Sequence, residues 1–141
     1  MTKMRGSIHH IDLSVHDPKA ARPFWEAVLE FMGYRVSTQY DHGGYDFDVG
    51  DRGGDFCSIG IRPVSGPNAE RQHDRYSSGM HHLAWNAASR ADVDALHALL
   101  FRIGATVLDA PSHYPEYSEG YYAVFFADPD GMKLEYCYVP G

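Results

Sequence analysis

The chain has 141 residues, with 12 basic and 19 acidic side chains and a formal net charge of −7 at pH 7. This length suits one compact domain, and the acidic balance argues against general nucleic-acid binding. No run of about 18 apolar residues is present, so we expect no membrane span and no membrane partner. Two cysteines are too few for a disulfide scaffold, which predicts a reducing, cytoplasmic setting.

The first predicted elements are a strand and a helix. Residues 6–15 read GSIHHIDLSV, in which a His-His pair precedes alternating apolar and polar side chains, as in a half-buried strand. Asp17 is a suitable N-cap with Pro18 at the first helical position, and Gly33 is placed to end the helix. Extended segments are predicted for the rest of this half of the chain.

The same order of elements returns in the second half. Residues 79–87 read GMHHLAWNA, Ser89 is a suitable N-cap with Asp92 three residues later, and Gly104 can end a second helix. The ends of the halves align as well, because DRGGDFCSIGIRP in the first half matches DPDGMKLEYCYVP in the second. An internal duplication explains both matches.

The duplication defines the predicted architecture. Each half reads as one strand, one helix and three further strands, with module one over residues 6–63 and module two over residues 79–140. Residues 64–78 are polar, contain Pro and Gly, and are predicted to link the modules. The predicted fold class is therefore α+β, a single domain of two βαβββ modules that form a curved mixed sheet around a metal-binding cavity.

Three side chains on these strands suggest a metal site. Since strand side chains alternate between faces, His10 and His82 fall on the less apolar faces of equivalent strands. Glu135 lies within an otherwise hydrophobic strand, where an unpaired carboxylate would be costly to bury. Two imidazoles and a carboxylate can bind one divalent ion such as Zn, Ni, Mn or Fe, with coordination positions left open. The alternative for Glu135 is an edge-strand surface residue or an ion pair with Lys133 or an arginine.

The chain resembles the vicinal oxygen chelate superfamily, which includes glyoxalases, bleomycin-resistance proteins and extradiol dioxygenases. The resemblance is carried by HHIDLSV, HHLAWNA and YYAVFFADPDGMKLEYC, and it covers nearly the whole chain. It places the metal ligands of the family on His10, His82 and Glu135. It also implies a small-molecule substrate with two adjacent oxygens and a homodimer, for which Phe24, Trp25 and Tyr76 are available.

The pattern departs from glyoxalase I at one position. That enzyme uses a His and a Glu from each module, but Ser58 occupies the place that corresponds to Glu135. A three-ligand site is similar to those of fosfomycin-resistance transferases and extradiol dioxygenases. A base would come from outside the ligand set, and His113 and Tyr121, in and beside the segment APSHYPEYSEG, are the candidates.

The sequence therefore predicts a metal-dependent isomerase, lyase or dioxygenase that acts on a small molecule with vicinal oxygens. The alternative is a non-catalytic protein of the bleomycin-resistance type, which sequesters a small molecule or antibiotic in an aromatic groove.

Overall fold

The computed structural model describes residues 3–141, and the chain divides into two compact units between Arg71 and Gln72. This boundary lies inside the predicted linker. Module one contains β1 (His10–Val15), α1 (Pro18–Phe31), β2 (Arg35–Gln39), β3 (Tyr45–Gly50) and β4 (Phe56–Pro63). Module two contains β5 (Leu83–Asn86), α2 (Arg90–Arg102), β6 (Thr106–His113), β7 (Tyr122–Ala127) and β8 (Lys133–Tyr138).

Both helices begin at the predicted caps. The carboxylate of Asp17 accepts from the Ala20 amide at 3.1 Å. The hydroxyl of Ser89 accepts from the Asp92 amide at 3.0 Å, while the Asp92 carboxylate accepts from the Ala88 amide at 2.8 Å, which completes a reciprocal capping box. Each such cap stabilises its helix by about 1 kcal/mol. Neither helix in residues 3–141 has the length and apolar character needed to cross a membrane.

The two sheets have the same strand order. It is β1-β4-β3-β2 in module one and β5-β8-β7-β6 in module two. In each module the first strand pairs in parallel with the last, and the other pairs are antiparallel. The predicted fold class, α+β with two βαβββ modules, is confirmed.

One face of each sheet carries the core. In module one the buried side chains alternate along the strands, which places Leu13, Val15, Phe47, Ile59 and Ile61 on one face. Phe24 and Trp25 of α1 are only 8% and 0% exposed. The expectation that they are available to a dimer interface is therefore wrong, because they belong to the core of their own module.

The turns before the last strands are built alike. The Asp51 amide donates to the Asp55 carbonyl at 3.0 Å, and the Asp128 amide donates to the Met132 carbonyl at 3.1 Å. The aligned segments DRGGD and DPDGM thus adopt the same hydrogen-bonded turn. This agreement places Ser58 and Glu135 at equivalent positions, each on the face opposite the helix.

Candidate metal centre

Glu135 lies at the centre of module two. It is 2% exposed and sits on β8 between Ala84 of β5 and Phe125 of β7. Because β8 is an interior strand, the edge-strand alternative for Glu135 is excluded. Within residues 3–141, the ion-pair partner of Glu135 is His82, and the Lys133 ammonium lies 4.6 Å from the centre of the Phe125 ring. The buried carboxylate therefore needs other partners.

His82 is the first of these partners. Its Nε2 lies 3.2 Å from Oε1 of Glu135, and its Nδ1 lies 2.8 Å from Nδ1 of His81. A neutral imidazole carries one proton, so His82 either donates it to Glu135 or donates to His81 and leaves Nε2 free as a metal ligand. The 3.2 Å separation fits both cases, since two donor atoms about 2.1 Å from one ion lie about 3.0–3.5 Å apart.

Tyr121 is the second partner, and it comes from the residue directly before β7. Its hydroxyl donates to Oε2 of Glu135, which leaves Oε1 to face His82. Burial, followed by the hydrogen bond to Glu135, raises the pKa of Tyr121 well above its usual value. The phenol therefore keeps its proton and acts as a hydrogen-bond donor, which does not suit the predicted role of general base.

Apolar and aromatic groups surround this pair. Ala123, Phe125 and Cys137 form a buried cluster, against which Tyr114 and Tyr121 pack. Burial raises the pKa of the Cys137 thiol, so its protonated form is favoured over the thiolate that binds metals. Glu135 therefore supplies the negative charge in a low-dielectric environment, where its interaction with a cation is strengthened.

His10 occupies the equivalent edge of module one. It is exposed, and its Nδ1 lies 2.9 Å from Nδ1 of His9, as in the second His pair. Across the sheet His10 is in register with Ser58, and Ser58 is in register with Asp48. The three side chains line one cavity of about 230 Å³. Asp48 on the neighbouring strand β3 thus provides a carboxylate, although β4 itself carries Ser58 where β8 carries Glu135.

The three predicted ligands are divided between the modules. His82 and Glu135 are in contact within module two, and His10 belongs to module one. Within residues 3–141, no group of three or more His, Cys, Asp and Glu side chains is arranged to hold a metal ion. Two of the three ligands are therefore brought together, and the contribution of His10 stays a prediction.

His113 lies away from this pair. It is in register with Tyr122 of β7, and the two rings are 4.9 Å apart. The Tyr122 hydroxyl donates to Asp94 of α2, which identifies this as the helix-facing side of the sheet. Glu135 pairs with Phe125 on the opposite face. The structure does not bring His113 to the candidate site.

Several charged residues of module one were missed from the sequence. Asp12, Asp46 and Arg62 line the same cavity as His10. Asp46 and Asp48 alternate with apolar residues in YDFDVG, and this period of two was a usable signal for a polar face. The contact of Asp46 with Arg62 depends on strand register, which the alternation alone does not specify.

Sequence comparisons identify a family and a relative. A family model described as the Glyoxalase/Bleomycin resistance protein/Dioxygenase superfamily matches residues 7–136. The chain is 33% identical over 128 residues to the uncharacterized protein YqjT of Bacillus subtilis (strain 168), which covers 91% of this chain and 95% of that protein.

Solved structures agree with that match. A Bacillus halodurans protein provisionally assigned as a glyoxalase has a TM-score of 0.79 and 25% identity, covering 96% of this chain and 97% of that chain. Lactoylglutathione lyase from Agrobacterium tumefaciens has a TM-score of 0.66 and 19% identity, covering 96% of each chain, and so supports the fold alone. The chain therefore belongs to the glyoxalase, bleomycin-resistance and dioxygenase superfamily.

Proposed function

We propose that the protein is a divalent-metal-dependent enzyme that acts on a small molecule with two vicinal oxygens. The single observation that carries the proposal is the buried Glu135 carboxylate, one oxygen of which faces His82 while the other accepts a hydrogen bond from Tyr121. An ion pair that served only stability would be a weak reason to bury a carboxylate, because the desolvation penalty offsets much of the attraction.

The donor set suits Zn, Ni, Mn or Fe. His82 and Glu135 would hold the ion from module two, and His10 would hold it from module one of the same chain or of a partner chain. A bound divalent ion polarises substrate oxygens and stabilises negative charge that develops on them. Ser58 offers no carboxylate at the fourth position, so open positions would be left for two adjacent substrate oxygens.

The residues of the chain then have distinct roles. Tyr121 holds Oε2 of Glu135 by donating a hydrogen bond, so Oε1 stays directed towards His82. The apolar surroundings at Phe125 exclude water from one side of the carboxylate. This division of roles fits isomerase, lyase or dioxygenase chemistry, in which charge on substrate oxygens must be stabilised.

The two cysteines bear on the cellular location of the protein. Cys57 and Cys137 are free thiols, as expected in a reducing compartment, and we place the protein in the cytoplasm.

We also propose a homodimer. Tyr76 is 77% exposed and is the member of the predicted interface that remains available.

A second candidate is a small-molecule or antibiotic-sequestering protein of the bleomycin-resistance type. The observation that favours it is the aromatic cluster beside Glu135. The rings of Tyr114 and Tyr117 are stacked 5.4 Å apart, and both lie close to Tyr121. Such a surface can bind an aromatic ligand without any metal.

Metal binding by the full chain separates these candidates. We expect about one equivalent of Zn, Ni, Mn or Fe per chain, measured by elemental analysis and calorimetry after dialysis. Glu135→Gln should weaken the affinity more than about 100-fold, because it removes the charged ligand. Glu119→Gln, at an exposed position, is the matched control. Equal metal affinity in wild type and Glu135→Gln would exclude Glu135 as a ligand, and a lack of metal binding would favour the sequestering protein.

A further inference from the structure

Four side chains that contact one another line the cavity of module one that also contains His10. The Nη2 atom of Arg62 donates to Oδ1 of Asp46 at 2.8 Å and lies 3.5 Å from Oδ1 of Asp12. The Tyr40 hydroxyl donates to the other Asp46 oxygen at 2.6 Å, and the Arg62 guanidinium lies 4.7 Å from the centre of the Tyr40 ring. Three strands and the loop after β2 thus each contribute one side chain to this contact in one polar cavity.

Gly60 makes room for this cluster. A Cβ atom at Gly60 would lie 2.2 Å from Oδ1 of Asp12 and 2.9 Å from Oδ1 of Asp46. Gly60 stands between these two residues in the sheet, on β4, with Asp12 on β1 and Asp46 on β3. The equivalent position in module two is Cys137, which carries a side chain. The cluster therefore depends on the absence of a side chain at residue 60.

The cavity retains unused hydrogen-bonding capacity. Both oxygens of Asp46 accept hydrogen bonds, but the Asp12 side chain is 46% exposed and, within residues 3–141, pairs only with Arg62 at 3.5 Å. Asp48 is held by Arg52, whose side chain is 73% exposed. Carboxylates only accept hydrogen bonds and guanidinium groups only donate them. A ligand in this cavity thus meets free acceptors beside cationic donors.

Hydroxyl groups match this alternation, because each hydroxyl donates and accepts at once. A carboxylate or phosphate ligand would meet Asp12, Asp46 and Asp48, and an ammonium ligand would meet Arg52 and Arg62. The three negative and two positive charges nearly balance, which favours a neutral ligand. The volume of about 230 Å³ holds roughly eight groups of the size of water.

We propose that the cavity of module one binds a neutral, hydroxyl-rich molecule or fragment, as in a sugar or a linear polyol. The side chains that recognise it are Asp12, Asp48 and Arg62, and the ring of Tyr40 forms part of the wall. Identification of this ligand as part of the substrate rests on the proposed function. The chemistry of the cavity itself rests on module one alone.

Ligand-observed NMR tests the proposal with the full chain treated with EDTA, so the result does not depend on metal. The probes are sorbitol, methyl β-glucopyranoside, propylamine and propionate at equal concentrations. We expect saturation transfer to at least one hydroxyl-rich probe and weaker transfer to the amine and the carboxylate. The sorbitol and glucopyranoside arms distinguish an open-chain ligand from a ring.

Variants then locate the binding site. Asp12→Asn should weaken binding of the hydroxyl-rich probe at least about tenfold, since the hydrogen bonds lost involve a charged acceptor. Gly60→Ala should do the same by displacing Asp12, and Asp41→Asn, at an exposed position of the same module, should bind as wild type. Preferential binding of propylamine or propionate, no binding of any probe, or unchanged binding by folded Asp12→Asn would overturn the proposal.

Discussion

The two modules share one scaffold but differ on the face that points away from the helix. In module two this face carries Glu135 among Phe125 and Cys137. In module one the equivalent positions carry Ser58, Asp48 and Gly60. The first face is therefore mostly apolar around one buried acid, and the other is a network of exposed and half-buried charges.

This difference shows which part of the duplicated scaffold is constrained by folding. The helix-facing side must bury apolar groups in both modules, so it keeps the alternation of β-branched and aromatic residues. The other face is released from that requirement. It can therefore carry a buried acid in one module and a polar cavity in the other while the strand order stays the same.

The largest expected effect is a loss of stability on substitution of Gly50, where the backbones of the modules differ. Gly50 has a φ of 78°, and a Cβ there would lie 1.6 Å from the Asp55 carbonyl oxygen. The corresponding residue of module two is Ala127. Gly50→Ala should lower the free energy of unfolding by about 3 kcal/mol or more, because a backbone atom blocks the added methyl.

Urea denaturation of the full chain measures this change. The control is Gly53→Ala in the same turn, since no atom lies within 4 Å of a Cβ at Gly53. Equal urea midpoints for the two variants would show that the β3–β4 turn rearranges freely.

The next largest expected effect is the pH dependence of stability that Asp128 causes in the turn before β8. Asp128 is 4% exposed, and burial raises its pKa to about 6 although the amides of Asp130 and Met132 donate to it. Its stabilising contribution is therefore complete below about pH 4 and is lost as the pH rises through 6. Asp128→Asn should remove this loss because asparagine does not ionise. The free energy of unfolding of the variant minus that of wild type should therefore increase by about 1–3 kcal/mol from pH 4 to pH 7.

Thermal or urea unfolding at several pH values checks this expectation. Asp51→Asn, at the exposed counterpart in module one, serves as the control. A difference between Asp128→Asn and wild type that stays constant from pH 4 to pH 7 would contradict the assigned cause.

The smallest expected effect is a loss of metal affinity on substitution of Tyr121, whose counterpart in module one is Gly44. Tyr121→Phe keeps the ring but removes the hydrogen bond to Glu135. If the phenol positions Glu135 for a metal ion, affinity should fall about tenfold. Calorimetry and the absorption spectrum of the Co(II)-loaded protein are the readouts, with Tyr117→Phe, at an exposed ring, as control. An unchanged cobalt spectrum and affinity would leave Tyr121 with a packing role only.

Most of the fold was accessible from the sequence. Asp17 and Ser89 were recognised as caps because short polar side chains before a helical pattern satisfy its free amides. The internal repeat then predicted the same succession of one strand, one helix and three strands in both halves, since equivalent segments adopt equivalent structure. The burial of Phe24 and Trp25 was misjudged because a helical stripe shows which side is apolar but not what covers it.

The candidate site was accessible only in part. Glu135 was noticeable as a charge inside an apolar strand, and its pairing with His82 agrees with the predicted alternation of faces. The cluster of Asp12, Asp46 and Arg62 was not foreseen, because it joins residues from three strands whose relative register appears only in the folded sheet. His113 was misplaced for a related reason, since β6 has irregular register along its pairing with β7.

The parallel pairing of first and last strands also affects how the chain is made on the ribosome. β1 ends at Val15, but its partner β4 is complete only when Pro63 has been synthesised. The sheet of module one therefore cannot close during synthesis of the intervening helix and hairpin, and such long-range pairing is typically slow. Until then the backbone donors and acceptors of β1 lack their partners on β4, so we expect the nascent chain to be most prone to aggregation before residues 56–63 are available.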